Sequence, residues 1–235
     1  MAIATKDSEL ATKFLLIRHA AHDGIDTYLP GRLPGVLLGK AGQSQAVQLA
    51  MRMMQENIAA VHSSPRERAL QTADVIARAS GLKPQVYKEI DEIDFGDWSG
   101  KTFNELDGDA AWKYWNSDRD KARTPAGDSM HEVQRWILGH IWKTSTLYQG
   151  QTVAIISHAD PIKAVLAEIL GISMAGLQQF QIAPASISSI MIGDWGAQVL
   201  SMNEVVNFSN GGMRATDGAA RQDLLLGDPA SGRRG

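Results

Sequence analysis

The chain has 235 residues and a formal net charge of −3, from 23 lysines and arginines against 26 aspartates and glutamates. It contains no cysteine, which excludes disulfide bonds, thiolate metal sites and cysteine nucleophiles. The slight negative charge disfavours a general nucleic-acid-binding protein, which would present a basic surface. A chain of this length can bury roughly 70% of the surface that its unfolded form exposes, so it needs no cross-links to fold.

The N-terminal stretch MAIATKDSELATK contains Asp7 and Glu9 and lacks the apolar core of a secretory signal. No apolar run approaches the ~20 residues that a membrane-spanning helix needs. The composition therefore predicts a soluble cytoplasmic protein that does not associate with membranes.

Strand-like and helix-like patterns alternate over the first part of the chain. Short apolar runs that stop abruptly at a polar residue are typical of buried parallel strands, and apolar residues at helical spacing predict the helices that cover them. A loop rich in glycine and proline separates the first strand from the first helix. In chain order the elements are a strand within 13–20, a helix over about 42–57, a strand over 58–64, a helix that begins after Pro65 and ends at Ser80–Gly81, and a short strand over 85–90.

Residues from about 91 to 150 differ in composition from those before them. They contain five of the six tryptophans and show helical patterns in place of strand-like ones. We interpret this stretch as a helical excursion from the sheet that covers the functional site, with the tryptophans serving first of all as packing residues.

A strand over 152–157 then leads into a helix, with Asp160 as its predicted N-cap and Pro161 in its first turn. Two more strands within 187–203 are expected to form a hairpin over Gly196.

The alternation of strands and helices predicts one α/β domain over 1–208, with three α/β/α layers around a mainly parallel central sheet. The composition of 209–235, rich in glycine, alanine, aspartate and arginine, predicts a loosely ordered C-terminal tail.

Two histidines stand at the carboxyl ends of two predicted strands that are far apart along the chain. These are His19, after FLLIR, and His158, after TVAIIS. In an open α/β sheet, ligands bind outside the carboxyl ends of the strands. Arg18 precedes the first histidine, and the basic stretch SPRER (64–68) follows another predicted strand. Imidazoles and guanidiniums gathered at one sheet edge predict a site that holds and transfers a phosphoryl group.

The chemistry of phosphoryl transfer suits these residue types. Imidazole has a reference pKa of ~6.5, so its neutral form is available as a nucleophile at neutral pH. Attack by imidazole would give a phosphohistidine and divide one difficult step into two easier ones. Arginines stay charged and match the phosphate oxygens with paired N–H groups.

Five blocks, in the same order along the chain, resemble the motifs of the histidine phosphatase (phosphoglycerate mutase-like) superfamily. The family's Arg-His-Gly and Ser-Pro-x-x-Arg-Ala-x-x-Thr-Ala motifs correspond to two of them, and its Glu-x-x-Phe-Gly-x-Trp-x-Gly motif to a third. The blocks are LIRHA (16–20), PGRLPGVLLGKAGQSQA (30–46), SSPRERALQTA (63–73), EIDFGDWSG (92–100) and SHADPIKA (157–164).

The resemblance implies a role for each matched residue. His19 would be the nucleophile and Glu92 the general acid, while Arg18, Arg68 and His158 would bind the phosphoryl group. His158 would be the cationic partner of the nucleophile. Neither a metal nor another cofactor is implied.

Arg32 is a further candidate for substrate contact, because its loop is expected to face the site. The chain departs from the family pattern at Ala20, which replaces the glycine after the nucleophile. Asp160 is unexpected as well, since a capping carboxylate would compete with phosphate for the same helix terminus.

The other histidines and charges have plainer interpretations. His62 is expected to be a packing residue, His131 and His140 to be solvated, and Arg66 to be a surface charge. His22 follows the nucleophile closely enough to reach the substrate, and its role stays open. The acidic residues at 91–97 are interpreted as a solvated turn with one functional glutamate, because no histidine spacing beside them matches a metal site.

Together these features predict a metal-independent phosphatase that hydrolyses a small phosphomonoester through a phosphohistidine, with no nucleic-acid or membrane partner. The alternatives are a phosphoglycerate mutase-type transferase, which would need a bisphosphorylated cofactor, a metal-dependent phosphoesterase, and a non-catalytic sensor of a phosphorylated ligand. The segments typical of true mutases are missing, which favours the phosphatase. The sequence leaves the substrate and the oligomeric state open.

Overall fold

The computed structural model of the protein describes residues 10–206. The predicted tail over 209–235 lies outside the described residues. Within 10–206, none of the helices combines the length and the apolar character needed to cross a membrane.

The described residues form a sheet of six strands in the order β3-β2-β4-β1-β5-β6. The first four strands along the chain are parallel to one another, and the last two form an antiparallel hairpin at one edge. The strands are β1 (Thr12–Arg18), β2 (Ile58–Ser63), β3 (Pro84–Val86), β4 (Thr152–Ser157), β5 (Ser186–Gly193) and β6 (Gly196–Val205). The helices are α1 (Lys40–Met53), α2 (Glu67–Ala79), α3 (Phe103–Asp107), α4 (Ala110–Ser117), α5 (Met130–Leu147) and α6 (Ala159–Leu170).

Helices cover both faces of the sheet, which confirms the predicted α/β fold. Alternate residues of a strand point to opposite faces. Accordingly, Leu15 and Ile17 of β1 belong to the core beneath α1 and α2, while Phe14 and Leu16 belong to the core beneath α5 and α6. Because β1 lies at the centre of the sheet, its sequence is apolar on both faces and reads as one continuous run.

The segment from about 91 to 150 contains α3, α4 and α5, as the helical pattern predicted. Trp98 and Trp115 are fully buried in a third core beside the sheet. The last helix, α5, packs directly on the sheet, because Ile137 and Ile141 contribute to the core that it shares with α6.

The predicted strand over 85–90 is wrong beyond Val86. The chain leaves the sheet at Tyr87 and forms a 3₁₀ turn over Lys88–Ile90. Ile90 is thereby fully buried in the core under α5 and α6, whereas Val86 at the sheet edge is exposed. Burial of this isoleucine explains why the pairing with β2 stops so early.

The predicted cap of α6 is also wrong. The N-cap residue is His158, and Asp160 lies inside the first turn of the helix. The Asp160 carboxylate accepts a hydrogen bond of 2.7 Å from Nη1 of Arg119, so it does not cap the helix terminus. The hairpin between β5 and β6 is confirmed, with Gly193 paired to Gly196 across the turn.

Helix α1 approaches the loop after β1 so closely that only glycine fits at position 42. A Cβ at Gly42 would overlap the carbonyl oxygen of Ala21. We expect Gly42→Ala to lower Tm, because overpacking of this kind typically costs 1–3 kcal/mol. The matched control is Gly139→Ala in α5, where the new Cβ meets no atom within 4 Å. This control should gain about 0.5–1 kcal/mol from helix propensity, and thermal unfolding of both variants would measure the contrast. Equal Tm changes in the two variants would contradict the close approach.

Candidate active site

The two histidines singled out in the sequence meet at one edge of the sheet. Strands β1 and β4 are parallel neighbours, and Arg18 pairs with Ser157 at their carboxyl ends. The next residue of each strand, His19 and His158, therefore leaves the sheet at the same level. Their ring centroids are 5.0 Å apart.

His19 is held as a neutral imidazole with one unprotonated nitrogen. Nδ1 lies 2.8 Å from the carbonyl oxygen of Ala20, so we assign the ring proton to Nδ1 and a lone pair to Nε2. Burial, followed by the charges of Arg68 and Arg18, holds the pKa of His19 well below 6.5. The lone pair of Nε2 is therefore available at neutral pH.

Arg68 connects the two histidines. It lies in the first turn of α2 and is fully buried. Its Nε donates to Nε2 of His19 at 3.1 Å, and its Nη2 donates to Nδ1 of His158 at 3.1 Å and to the carbonyl oxygen of Gly31 at 2.9 Å. One guanidinium thus fixes the orientation of both rings.

Two donors at this site are buried without a partner among the described residues. They are Nη1 of Arg68 and Nε of Arg18. The other side of the Arg18 guanidinium is anchored, since its Nη1 donates to the carbonyl oxygen of Ile182 at 2.6 Å. Leaving a buried polar group unpaired costs about 1–3 kcal/mol, so both donors favour an acceptor ligand.

His158 belongs to a hydrogen-bonded chain that sequence reasoning missed. Because Nδ1 accepts from Arg68, the proton of the neutral ring lies on Nε2, which donates to Oγ of Ser64 at 2.8 Å. Ser64 in turn donates to Asp91 at 3.0 Å. The only sequence signal for Ser64 was its place immediately before Pro65 in the basic block.

The expectation that His158 is cationic is wrong. Burial is the largest cause that holds its pKa well below 6.5, and the charge of Arg68 is the next. The ring accepts a hydrogen bond from a guanidinium, which a protonated imidazole could not do at Nδ1.

Glu92 lies beside the two histidines, but its pKa is shifted in the opposite direction. Its Oε2 is 3.6 Å from Nδ1 of His158 and 3.9 Å from Nη2 of Arg68. Burial, followed by the negative charge of Asp160, raises the pKa of the Glu92 carboxyl to about 8. Its other oxygen accepts from the backbone N–H of Ile93 at 3.0 Å. Glu92 therefore holds a proton at neutral pH and can donate it.

Arg32 is brought to the turn that carries Glu92, and no hydrogen bond joins it to His19 or His158 within 10–206. Its Nε donates to the carbonyl oxygen of Glu92 at 2.7 Å, and its Nη2 donates to Asp128 at 2.9 Å. Arg32 therefore holds the Glu92 turn in place, and its contact with substrate stays a prediction.

Arg66 is not the surface charge that the sequence suggested. Its side chain is 23% exposed, its Nε pairs with Asp91 at 3.0 Å and its Nη1 donates to the carbonyl oxygen of Arg32 at 2.7 Å. Asp91 is likewise buried and is not part of a solvated turn. The interpretation of the acidic segment as a solvated turn fails at Asp91, which accepts from both Ser64 and Arg66, whereas Asp97 is exposed as expected.

The remaining histidines divide between the site and the rest of the molecule. His22 is buried with its ring 6.0 Å from that of His19. His131 is largely exposed, as predicted. The prediction for His140 is wrong, because it is buried and hydrogen-bonded to His62, which is a packing residue as expected.

Ala20 fits the position where the family motif has glycine. It is fully buried in the core under α1 and α2, and its N–H donates to Oγ1 of Thr72 at 3.1 Å. Among residues 10–206, no group of three or more histidine, aspartate or glutamate side chains is arranged to hold a metal ion.

The comparison with known families agrees with this geometry. The model of the histidine phosphatase superfamily (branch 1) matches residues 14–205, which includes every residue placed in the site above. The chain belongs to the histidine phosphatase superfamily, and it is a phosphatase of the kind that acts through a phosphohistidine.

Individual proteins that are similar to this chain are also named as phosphatases. Phosphoserine phosphatase 1 of Hydrogenobacter thermophilus is 29% identical over 196 residues, which cover 81% of this chain and 92% of the relative. The solved structure of a phosphoserine phosphatase from Entamoeba histolytica, in complex with phosphoserine, is 25% identical with a TM-score of 0.74 and covers 83% of this chain and 98% of its own. A mycobacterial glucosyl-3-phosphoglycerate phosphatase shares the fold, at 23% identity and a TM-score of 0.74, over 83% of this chain and 99% of its own.

Replacing Glu92 with glutamine should stabilise the protein, and more so at pH 8 than at pH 5. The pKa of Glu92 is about 8 in the folded protein, against a usual value of 4.5. Between these values the folded state binds a proton that the unfolded chain has released, so wild-type stability falls as the pH rises through this window. Glutamine stays neutral throughout, so the Tm difference between Glu92→Gln and wild type should grow with pH. Thermal unfolding at both pH values measures it, and an equal difference would mean that the carboxyl is not perturbed.

Proposed function

We propose that the protein is a metal-independent phosphomonoesterase in which His19 is the nucleophile and Glu92 the general acid. The observation that carries the proposal is the pair of unpartnered buried donors, Nη1 of Arg68 and Nε of Arg18, beside a neutral His19. A phosphoryl dianion would supply acceptors for both guanidiniums while its phosphorus faces Nε2 of His19.

In the first step, Nε2 of His19 attacks phosphorus and the bond between phosphorus and the leaving oxygen breaks. The incoming phosphoryl group takes the hydrogen bond that Nε of Arg68 donates to Nε2 in the free protein. Glu92 gives its proton to the departing alkoxide, so the alcohol leaves as a neutral group. The charge on the transferring oxygens is balanced by Arg18 and Arg68.

In the second step, water attacks the phosphohistidine. The Glu92 carboxylate, now deprotonated, takes one proton from that water, and the bond between nitrogen and phosphorus breaks. His19 and protonated Glu92 are thereby restored. The chain His158, Ser64 and Asp91 keeps the second imidazole fixed throughout, with its Nδ1 toward Arg68 and Glu92.

Hydrolysis is favoured over a non-catalytic sensor by the state of Glu92. A sensor that only binds a phosphorylated ligand needs no buried carboxylic acid, and the raised pKa of Glu92 suits a group that gives and takes a proton.

The phosphoserine phosphatases named above support a small phosphorylated metabolite, with a carboxylate on its leaving group, as the substrate.

The finer predictions on location and partners stay predictions. They are a cytoplasmic location, a small phosphorylated substrate, and no nucleic-acid or membrane partner. The net charge of −3 supports the exclusion of nucleic acid.

The nucleophile is tested with an aryl phosphate in excess chelator. Wild-type protein should retain its full rate, because the proposed mechanism uses no metal. His19→Ala should lose on the order of 10³-fold or more, since the nucleophile has no substitute at its position. His131→Ala removes an exposed histidine and should leave the rate unchanged. Loss of wild-type activity in chelator would refute the metal-independent route, and activity in His19→Ala would refute the nucleophile.

The acid is tested with leaving groups of different basicity. Glu92→Gln should slow the hydrolysis of phosphoserine by about 10²–10⁴-fold, the usual contribution of a general acid. It should slow p-nitrophenyl phosphate far less, because that leaving group departs without a proton. For wild type on phosphoserine, kcat/KM should fall as the pH rises through about 8, where the acid form of Glu92 is lost. Equal slowing of both substrates would remove Glu92 from the acid role.

A further inference from the structure

A cavity lies away from His19 and His158, at the edge of the sheet formed by β3. It has a volume of about 460 Å³ and lies between β2, α5 and the segment that follows β3. It exists because β3 has only three residues, so that the chain leaves the sheet at Tyr87 and the corner next to α5 is not filled. Its volume is in the range typical of small-molecule sites.

Aromatic side chains form much of the wall of this cavity. The ring of Tyr87 lies 4.5 Å from that of His140 and 4.6 Å from that of His62, and Tyr148 lies 5.9 Å from His62. Trp136 of α5 completes the wall and is 37% exposed. Rings that stand at steep angles around a cavity present faces and edges to a planar ligand.

His62 supplies a buried polar atom for which the protein provides no partner. Its Nδ1 is 3.0 Å from Nε2 of His140, so a single proton is shared between these two nitrogens. Its Nε2 has no hydrogen-bond partner within residues 10–206, although His62 is only 2% exposed. A buried polar atom without a partner in a cavity wall is typical of a position that a ligand or water satisfies.

The charges at the mouth favour a negatively charged ligand. Arg135 and Lys143 of α5 line the cavity and are exposed, with one carboxylate, Glu89, on the opposite side. The pKa of His62 is lowered to about 4 by burial and by His140, so the interior of the cavity is uncharged at neutral pH. The two cations at the rim therefore outweigh the single carboxylate.

We propose that this cavity binds a small planar aromatic anion. Its ring would lie among Tyr87, Trp136 and Tyr148, with a polar substituent at Nε2 of His62. Its anionic group would face the two cations of α5. The proposal of this binding site does not depend on the chemistry proposed for His19.

The elements that line the cavity continue directly into the active site. Tyr87 donates from its backbone N–H to the carbonyl oxygen of Ser63, the last residue of β2, at 3.0 Å, and Ser64, which follows the strand, is hydrogen-bonded to both His158 and Asp91. The 3₁₀ turn after Tyr87 ends one residue before Asp91. A ligand that fixes Tyr87 and His62 therefore acts on the segment that positions Glu92, and occupancy should change kcat rather than the KM for substrate.

The probe for this site is 8-anilinonaphthalene-1-sulfonate, a fluorescent aromatic anion. We expect saturable binding at one site per chain, and binding that inorganic phosphate does not displace. Gly139 lines the cavity, and a Cβ there meets no atom within 4 Å, so the backbone at this position accepts a side chain. Gly139→Trp should weaken binding at least tenfold by filling the cavity, whereas Gly139→Ala should bind as wild type does.

The preference of the cavity for an anion is tested separately. N-phenyl-1-naphthylamine has the same rings without the sulfonate and should bind at least tenfold more weakly than the anion. The double variant Arg135→Gln/Lys143→Gln should remove that difference, and Tm measurements on it and on the Gly139 variants confirm that all are folded. Unchanged binding of the anion to Gly139→Trp, displacement by phosphate, or absence of binding to wild type would each overturn the site.

The link to catalysis has its own readout. Release of inorganic phosphate from phosphoserine is measured with and without saturating probe, in wild type and in Gly139→Trp. A change in kcat that occurs in wild type and is absent from Gly139→Trp supports the coupling. Equal rates with and without the probe in wild type would overturn the coupling, and a rise in KM alone would place the probe at the active site.

Discussion

The arrangement of the catalytic edge depends on one buried guanidinium. Arg68 donates to the reactive nitrogen of His19, to Nδ1 of His158 and to the backbone of Gly31, and it is fully inaccessible to solvent. A buried charge of this kind is costly unless its N–H groups find acceptors, and among the described residues Nη1 of Arg68 finds none. The positions of β1, β4, α2 and the loop around Gly31 are therefore all constrained by the requirement to surround a single side chain. These elements surround the Arg68 guanidinium, and its hydrogen bonds fix their relative positions.

Burial separates the proton affinities of the groups around Arg68. Burial, followed by the charge of Arg68, lowers the pKa of His19 and of His158, which suits the nucleophile proposed at His19. Glu92, a few ångströms away, is buried near Asp160 and retains its proton. Adjacent groups whose pKa values are shifted in opposite directions support the proposed roles of His19 as nucleophile and Glu92 as acid. Asp160, which the sequence presented as a competitor of phosphate, contributes to this division because its negative charge raises the pKa of Glu92, while its carboxylate accepts a hydrogen bond from Arg119.

Sequence patterns correctly predicted the elements whose structure is determined by their own residues. The central strands β1 and β4 are buried on both faces, so their apolar runs are unambiguous, and the histidines at their ends had to share an edge. The errors occur where tertiary contacts decide. The pattern over 85–90 looks like a strand, yet burial of Ile90 draws the chain away from the sheet. The polar character of Arg66 and His140 suggested exposure, whereas Arg66 is only partly exposed in its pair with Asp91 and His140 is buried against His62.

The unpartnered N–H groups of Arg18 and Arg68 have a consequence for the end of the reaction cycle. In the proposed mechanism, inorganic phosphate is the product of the second step, and it carries the same oxygens as the group being transferred and satisfies the same donors. An enclosure that binds the phosphoryl group strongly in every state also retains the free anion once the phosphohistidine is hydrolysed. Departure of phosphate, rather than bond breaking, then becomes the step that limits turnover when leaving groups are good. The cell's own phosphate concentration would in that case set how much of the enzyme is free to bind its next substrate.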